Sequence, residues 1–271
     1  MSSGLTAVGF SSSSVFSISR TQNALARSFA QVSSGYRINR AADDAAGLAI
    51  ASGLAASITE ISQASRNVSD TASALAIADG ALGQVSEIST RMQELATMAA
   101  NGTYTDEQRS ALQTEYAALA EEIQRIGSTT SYNGKSLLDG SSMTAQIGSG
   151  GETLTVNGVN LQSLASGATS QDISTQAGAQ AAMSAIDQFS QDLTTQRTGT
   201  IGSAMSRLDS IQNNLSSQSI TQNSALSQIR DADLPAAIVE LTKAKVLQQY
   251  QVALVKQASM LDASTRLSML G

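Results

Sequence analysis

Apolar residues recur at alternating spacings of three and four over most of the chain, and no other feature restricts the fold so strongly. That spacing lines side chains up on one stripe of an α-helix. Val15, Ile18, Leu25, Phe29, Val32 and Tyr36 form one such seam, with Gln22 as its polar member. Leu54, Ile61, Val68, Leu75 and Leu82 form a longer one, with Ile58 and Ala72 between them, and Val85, Ile88, Met92 and Leu95 carry it onward. Leu112, Tyr116, Leu119, Ile123 and Ile126 make a shorter seam. Ile201, Ala204, Leu208, Ile211, Leu215, Ala225 and Ile229 continue the pattern, interrupted by Gln218 and Gln222. Sustained heptads predict helices wound around one another. A helix over Leu54–Met98 would run about 70 Å. The expected fold is mainly α, a long coiled-coil rod.

Composition agrees with close-packed helices. Aromatic residues are 3% of the chain while hydrophobic residues reach 41%, so Ala, Leu, Ile, Val and Met must fill the interior. The net charge of −6 argues against a nucleic-acid binder held by phosphate neutralisation. With no Cys and no His, disulfides, thiolate catalysis, the commonest general base and the commonest transition-metal ligand are all missing. No cofactor and no metal is expected. No unbroken apolar run approaches the roughly 20 residues of a bilayer crossing, so no membrane partner is expected. The first basic residue is Arg20 and no apolar core follows the start, so export would use a route without a cleaved leader.

The breaks in the periodicity are legible. Gly35 after Ser33 and Ser34 offers a left-handed residue to end a helix. Asp43 and Asp44 put negative charge where the next helix opens. Asn101-Gly102 closes that helix, Thr105 with Gln108 reads as a capping box for another, and Gly127 is expected to stop it. Between Tyr132 and Leu161, Asn133-Gly134, Gly150-Gly151 and Asn157-Gly158 punctuate short alternating stretches, which predicts two small β-hairpins in the middle of the chain. Residues 162–176 read as a Ser/Gly/Thr-rich connector, after which helical spacing resumes at Ile186, Phe189 and Leu193.

The carboxyl-terminal stretch Ala244–Leu270 differs. Val246, Leu247, Tyr250, Val252, Leu254, Val255, Met260, Leu261 and Leu267 surround the helix instead of marking one face. A helix apolar all round requires cover on every side. Neighbouring copies of the same chain are the simplest cover.

No constellation points to catalysis. The clustered carboxylates Asp43-Asp44, Glu121-Glu122 and Asp231/Asp233 lack a partner His or a Gly-rich loop, and read as helix caps and surface charge. Gly80 and Gly83 follow no strand, so they read as sites of close helix approach and not as a phosphate loop. Arg37 and Arg40 bracket a turn beside Asp43 and Asp44, where local ion pairing and an inter-subunit contact both fit.

The stretch Ser33-Ser34-Gly35-Tyr36-Arg37-Ile38-Asn39-Arg40-Ala41-Ala42-Asp43-Asp44-Ala45-Ala46-Gly47 resembles the motif of the bacterial flagellins, SSG-x-RIN before a helix opening DDAAG. Gln63 to Asn67 resembles the QASRN of that family, Glu94-Leu95-Ala96 its ELA, and Tyr132-Asn133-Gly134 its FNG hairpin. Ile229 to Asp233 and Leu247-Gln248-Gln249 are similar to its carboxyl-terminal IxDAD and LQQ. There are departures. Thr6 to Phe10 replaces an INTN-type start, Gln31 stands at an arginine position, and the chain reads Leu267-Ser268-Met269-Leu270-Gly271 where the family has a terminal Arg.

The resemblance implies a minimal flagellin, without a large outer domain, that polymerises into the extracellular flagellar filament for swimming. Its segments would be an inner-core helix at 1–40, a helical rod with β-hairpins at 41–161, the connector at 162–176, a return helix at 177–234 and a second inner-core helix at 235–271. The terminal helices would pair in the assembled filament through Val15, Ile18, Leu25, Phe29, Val32, Leu247, Tyr250, Leu254 and Leu261. Gly35, Arg37, Asn39, Asp43 and Asp44 would form a turn and inter-subunit motif. The implied partners are further copies, the flagellar type III export apparatus with a carboxyl-terminal export chaperone, and the filament cap and junction proteins. An animal innate immune receptor would contact Arg91 and Leu95. The ends, Met1–Arg40 and Pro235–Gly271, are expected to order only on assembly, because fixing a backbone costs about 1–2 kcal/mol per residue. The rival readings are a hook–filament junction protein, a chemoreceptor-like signalling coiled coil, and an enzyme carried on a filament subunit; the last would lack the histidines of a zinc peptidase.

Overall fold

The computed structural model describes the backbone of residues 2–148 and 150–268, and the side chains of 16–148, 150–260 and 264. Seven α-helices and two antiparallel strand pairs follow one another: α1 Ser2–Ser34, α2 Ala45–Ala100, α3 Asp106–Thr129, β1 Ser131–Tyr132, β2 Lys135–Ser136, β3 Met143–Gln146, β4 Thr153–Val156, α4 Leu161–Thr169, α5 Gln176–Thr195, α6 Ser203–Arg230 and α7 Leu234–Ser268. A π-helical stretch, Gln196–Gly202, joins α5 to α6. The chain divides into two compact units, one from Met1–Ala56 with Thr221–Gly271 and one from Ser57–Ile220.

The middle unit contains the large core. Ile61, Val68, Leu75, Leu82, Val85, Met92 and Leu95 of α2 are all buried, as their spacing predicts. They pack with Tyr116 and Ile123 of α3, Leu154 and Val156 of β4, Leu161 of α4, and Ile186, Phe189, Leu193, Ile201, Leu208 and Leu215 of the return segment. Leu193 and Ile201 are eight residues apart where the rest of that stripe keeps sevens. The π-helical stretch absorbs the extra residue, so both side chains stay in the core. It also aims Arg197 at Asp79 of α2, with Nε and Nη2 donating to its two carboxylate oxygens over 2.9 and 3.2 Å. Further polar contacts cross between the antiparallel helices: Gln93 to Asp187, Ser89 to Ser190, and Gln212 to Ser65.

The hairpins form where the turn residues sit. Asn133 and Gly134 both have positive φ, 48° and 77°, as a two-residue turn between β1 and β2 requires. Gly151, at φ 84°, lies in the loop between β3 and β4. Asn157-Gly158 is not a hairpin turn: it follows β4, and a side chain at 158 would collide with the Ser141 carbonyl, so this Gly serves a close backbone approach.

Four further expectations are corrected. Gly127 does not stop α3, which runs on to Thr129; Gly127 makes room for Leu161, whose Cδ2 would lie 3.4 Å from an added Cβ. The connector 162–176 holds most of α4, capped by the Asn160 side chain accepting from Ser163 N. Gly80 and Gly83 are not at a close helix approach, since only the Arg197 guanidinium comes within 4 Å of either. By length and a mean hydropathy of 1.4 over an 18-residue window, α2 does pass the composition test for a membrane crossing, although no unbroken apolar run produces it. Only 17% of that window is buried, whereas beyond Ser57 the helix contributes an apolar stripe to the core of the middle unit.

Candidate interaction surface of the terminal unit

In the terminal unit α1 packs along α7. On α1 the stripe that loses solvent is Ile18, Thr21, Leu25, Ser28 and Val32; on α7 it is Ala237, Leu241, Ala244, Gln248 and Gln251. Both run at three-four spacing, but the covered side chains are small or polar as often as large and apolar. Most large apolar residues of α7 are exposed: Val246 is 58% exposed, Tyr250 62% and Met260 71%, and Val239, Leu247, Val252, Leu254 and Val255 are exposed as well.

Within one chain the seam differs from the full set of terminal-helix residues expected to take part in assembly. Ile18, Leu25 and Val32 are in it, but Phe29 is 64% exposed because it stands one residue, a rotation of about 100°, beyond the buried Ser28. Gln22 is exposed, and Thr21 and Ser28 are the polar members instead. Leu247, Tyr250 and Leu254 lie on the open face. The side chains of Val15 and Leu261 fall outside the described residues. Both ends are helical in the single chain, α1 over Ser2–Ser34 and α7 over Leu234–Ser268.

The base of the pair is a backbone knot between two distant segments. Gly35, at φ 74°, ends α1 by donating its N–H to Gln31 O over 2.9 Å. Tyr36 then bridges antiparallel to Asp231: Arg37 N donates to Arg230 O over 2.7 Å and Ala232 N to Gly35 O over 2.9 Å. The Arg37 guanidinium donates to Ile229 O over 2.6 Å, and Arg230 lies 4.0 Å above the Tyr36 ring centroid. Asn39 Nδ2 donates to Tyr36 O and Gln31 Nε2 to Arg37 O.

The two aspartates close the turn. Asp43 Oδ2 accepts from the N–H groups of Asn39 and Arg40 over 3.2 and 3.0 Å, and Asp44 Oδ1 accepts from Gly47 N over 2.8 Å, capping α2. A side chain at Gly47 would strike the Asp44 carboxylate and Ile38 Cδ1, and Ile38 is itself 1% exposed. Gly35, Arg37, Asn39, Asp43 and Asp44 are therefore brought together around one turn. The local ion pairs are not formed: among the described residues neither Arg37 nor Arg40 is in a salt bridge, because Asp43 and Asp44 accept from backbone N–H groups and Arg37 donates to a carbonyl. Sequence spacing gave no sign of the partner segment Ile229–Ala232, which lies some 190 residues away and follows no shared period. Asp233 also caps, accepting from Ala236 N at the start of α7.

Arg91 and Leu95 have different surroundings. The Arg91 guanidinium donates to Glu115 Oε1 over 2.7 and 2.9 Å and to Glu94 Oε2 over 2.8 Å; the Glu115 hydrogen bond, then that of Glu94, raises its already high pKa. Leu95 has no accessible surface. A partner docking on this face would meet Arg91 and not Leu95. Among the described residues no group of three or more Asp and Glu side chains is placed to hold a metal ion.

These elements define a mainly helical protein whose terminal helices pair and are tied at their base by backbone hydrogen bonds. Residues 10–143 match the bacterial flagellin N-terminal helical region and residues 183–264 the bacterial flagellin C-terminal helical region. A flagellin of Halalkalibacterium halodurans is 37% identical over 84% of this chain and 86% of its own. A flagellar filament 31.3 kDa core protein of Treponema maltophilum is 31% identical over 88% of this chain and 90% of its own. The crystal structure of Bacillus cereus flagellin superposes with a TM-score of 0.52 at 34% identity, over 55% of this chain and 88% of that one. The chain belongs to the bacterial flagellin family.

Proposed function

We propose that this chain is the repeating subunit of an extracellular flagellar filament, and that it polymerises by burying the outer face of α7 against neighbouring copies. The observation that carries this reading is the inverted patterning of α7. Its covered stripe includes Ala237, Ala244, Gln248 and Gln251, while Val246, Leu247, Tyr250, Leu254 and Met260 remain in water. Apolar area gains about 25 cal/mol per Å² when removed from water, and copies that repeat one head-to-tail contact form an open helix. In this reading swimming motility follows from the polymer. The other partners are the export apparatus and its chaperone, and the cap and junction proteins at the two ends of the polymer.

The filament name carried by the Treponema relative favours a filament subunit over a junction protein, and the flagellin match leaves no support for a signalling coiled coil. The test is seeded polymerisation viewed by electron microscopy. Wild-type protein gives long fibres, while Val246→Asp with Leu254→Asp gives none and keeps the circular dichroism of the wild-type monomer. Fibres from the double variant indistinguishable from wild type would overturn the proposal.

A further inference from the structure

A cleft of about 250 Å³ lies between α1 and the loop that follows it. Asn23, Ala26, Arg27, Ala30 and Gln31 supply one wall, a stripe at helical spacing, and Asn39, Arg40, Ala42 and Asp43 supply the other. Three small side chains, Ala26, Ala30 and Ala42, leave room in it, and the remaining lining residues are polar. Arg27 and Arg40 both line this space, and among the described residues neither forms a salt bridge. Asp43 lines it too; its Oδ2 accepts the Asn39 and Arg40 N–H groups, and among the described residues it forms no salt bridge with either arginine. Arg27 and Arg40 are both exposed, so each guanidinium is open to a partner that approaches the cleft.

We propose that this cleft is a carboxylate socket that receives an acidic side chain of a second copy of the chain. The inference rests on the assembly reading above and gives it a polar, specificity-setting contact. Charge complementarity selects the occupant: the chain is acidic overall, so every neighbour brings carboxylates, and guanidinium groups bind carboxylates in a fork geometry. Position selects it as well, because the cleft lies in the same compact unit as the open apolar face of α7.

The experiment compares the monomer left after seeded assembly, by sedimentation across a range of salt, for four proteins. These are wild type, Arg27→Gln with Arg40→Gln, Ala26→Leu to fill the cleft with all charges kept, and Arg20→Gln, which is one heptad away on the same face of α1 and outside the cleft. Circular dichroism checks each fold. The double variant and Ala26→Leu are expected to leave roughly fivefold more monomer, and the double variant to lose the salt dependence that wild type and Arg20→Gln share. Normal assembly of Ala26→Leu, or a double variant no worse than Arg20→Gln, overturns the socket. Wild-type protein that fails to extend seeds at all overturns the assembly reading itself, which is a distinct result.

Discussion

Arg109 reaches back from the first turn of α3 to the end of α2, where the last carbonyls have no partner within the helix. Its Nε donates to Ala99 O over 2.9 Å, Nη2 to Asn101 O over 3.3 Å, and Nη1 to Asp106 Oδ1 over 3.0 Å. It is the one buried charged residue among the described residues. Arg109→Met keeps much of the apolar stem and removes these bonds, so it should lower stability by about 2–3 kcal/mol, read as a lower urea midpoint. An unchanged midpoint would mean that water satisfies those carbonyls equally well. Tyr116 is the second single-residue case. Its hydroxyl donates to Ala168 O over 2.6 Å inside the core, and burial pushes its pKa up to about 12. A raised pKa means that the folded chain holds this proton after the unfolded chain has released it. The contribution is therefore full below the unfolded value of about 10 and is lost as pH rises through about 12. Tyr116→Phe should be less stable than wild type at pH 7, and the difference should shrink between pH 10 and pH 12 in denaturation followed by circular dichroism.

At the scale of elements, the local signals that proved reliable are those in which one residue fixes its own backbone. The Thr105–Gln108 capping box forms with both reciprocal bonds, Gln108 N to Thr105 Oγ1 and Thr105 N to Gln108 Oε1. Gly134 sits at φ 77° with open space around it, so Gly134→Ala tests backbone strain alone and should cost about 1–2 kcal/mol in thermal melts. A cost near zero would show that the β1–β2 turn relaxes to another type. Heptads at Ile61, Val68, Leu75 and Leu82 were legible for the same reason, since burial follows directly from period. Signals that depend on distant packing were not. Gly127 looks like a helix stop until Leu161 is seen to need its space, and α4 is hidden in a stretch rich in Ser and Gly because Leu161, Ala165 and Ala168 hold it from below. The eight-residue step from Leu193 to Ile201 was visible in the sequence, and it is the trace of the π-helical stretch. In the candidate surface, Phe29 stands one position beyond the covered Ser28, a distinction that three-four spacing alone does not make.

At the scale of the molecule the two units are built on different terms. The middle unit buries long, matched stripes from α2, α3, α5 and α6, whereas the α1–α7 pair covers a narrow seam that mixes Ile18, Leu25 and Val32 with the polar Ser28, Gln248 and Gln251. A narrow seam buries little apolar area, and helix propensity alone does not hold a long helix in water. Local opening should therefore be far easier in the terminal pair than in the middle unit. Hydrogen exchange followed by mass spectrometry measures this directly. In monomer, amides of 16–34 and 237–260 should exchange at least about a hundredfold faster than those of 82–99 and 186–193, and polymer formation should slow the first set while leaving the second nearly unchanged. Protection of α1 and α7 in monomer equal to that of the α2 core would mean that the pair is stable without neighbours, and the reason for expecting self-association from its outward apolar residues would be gone.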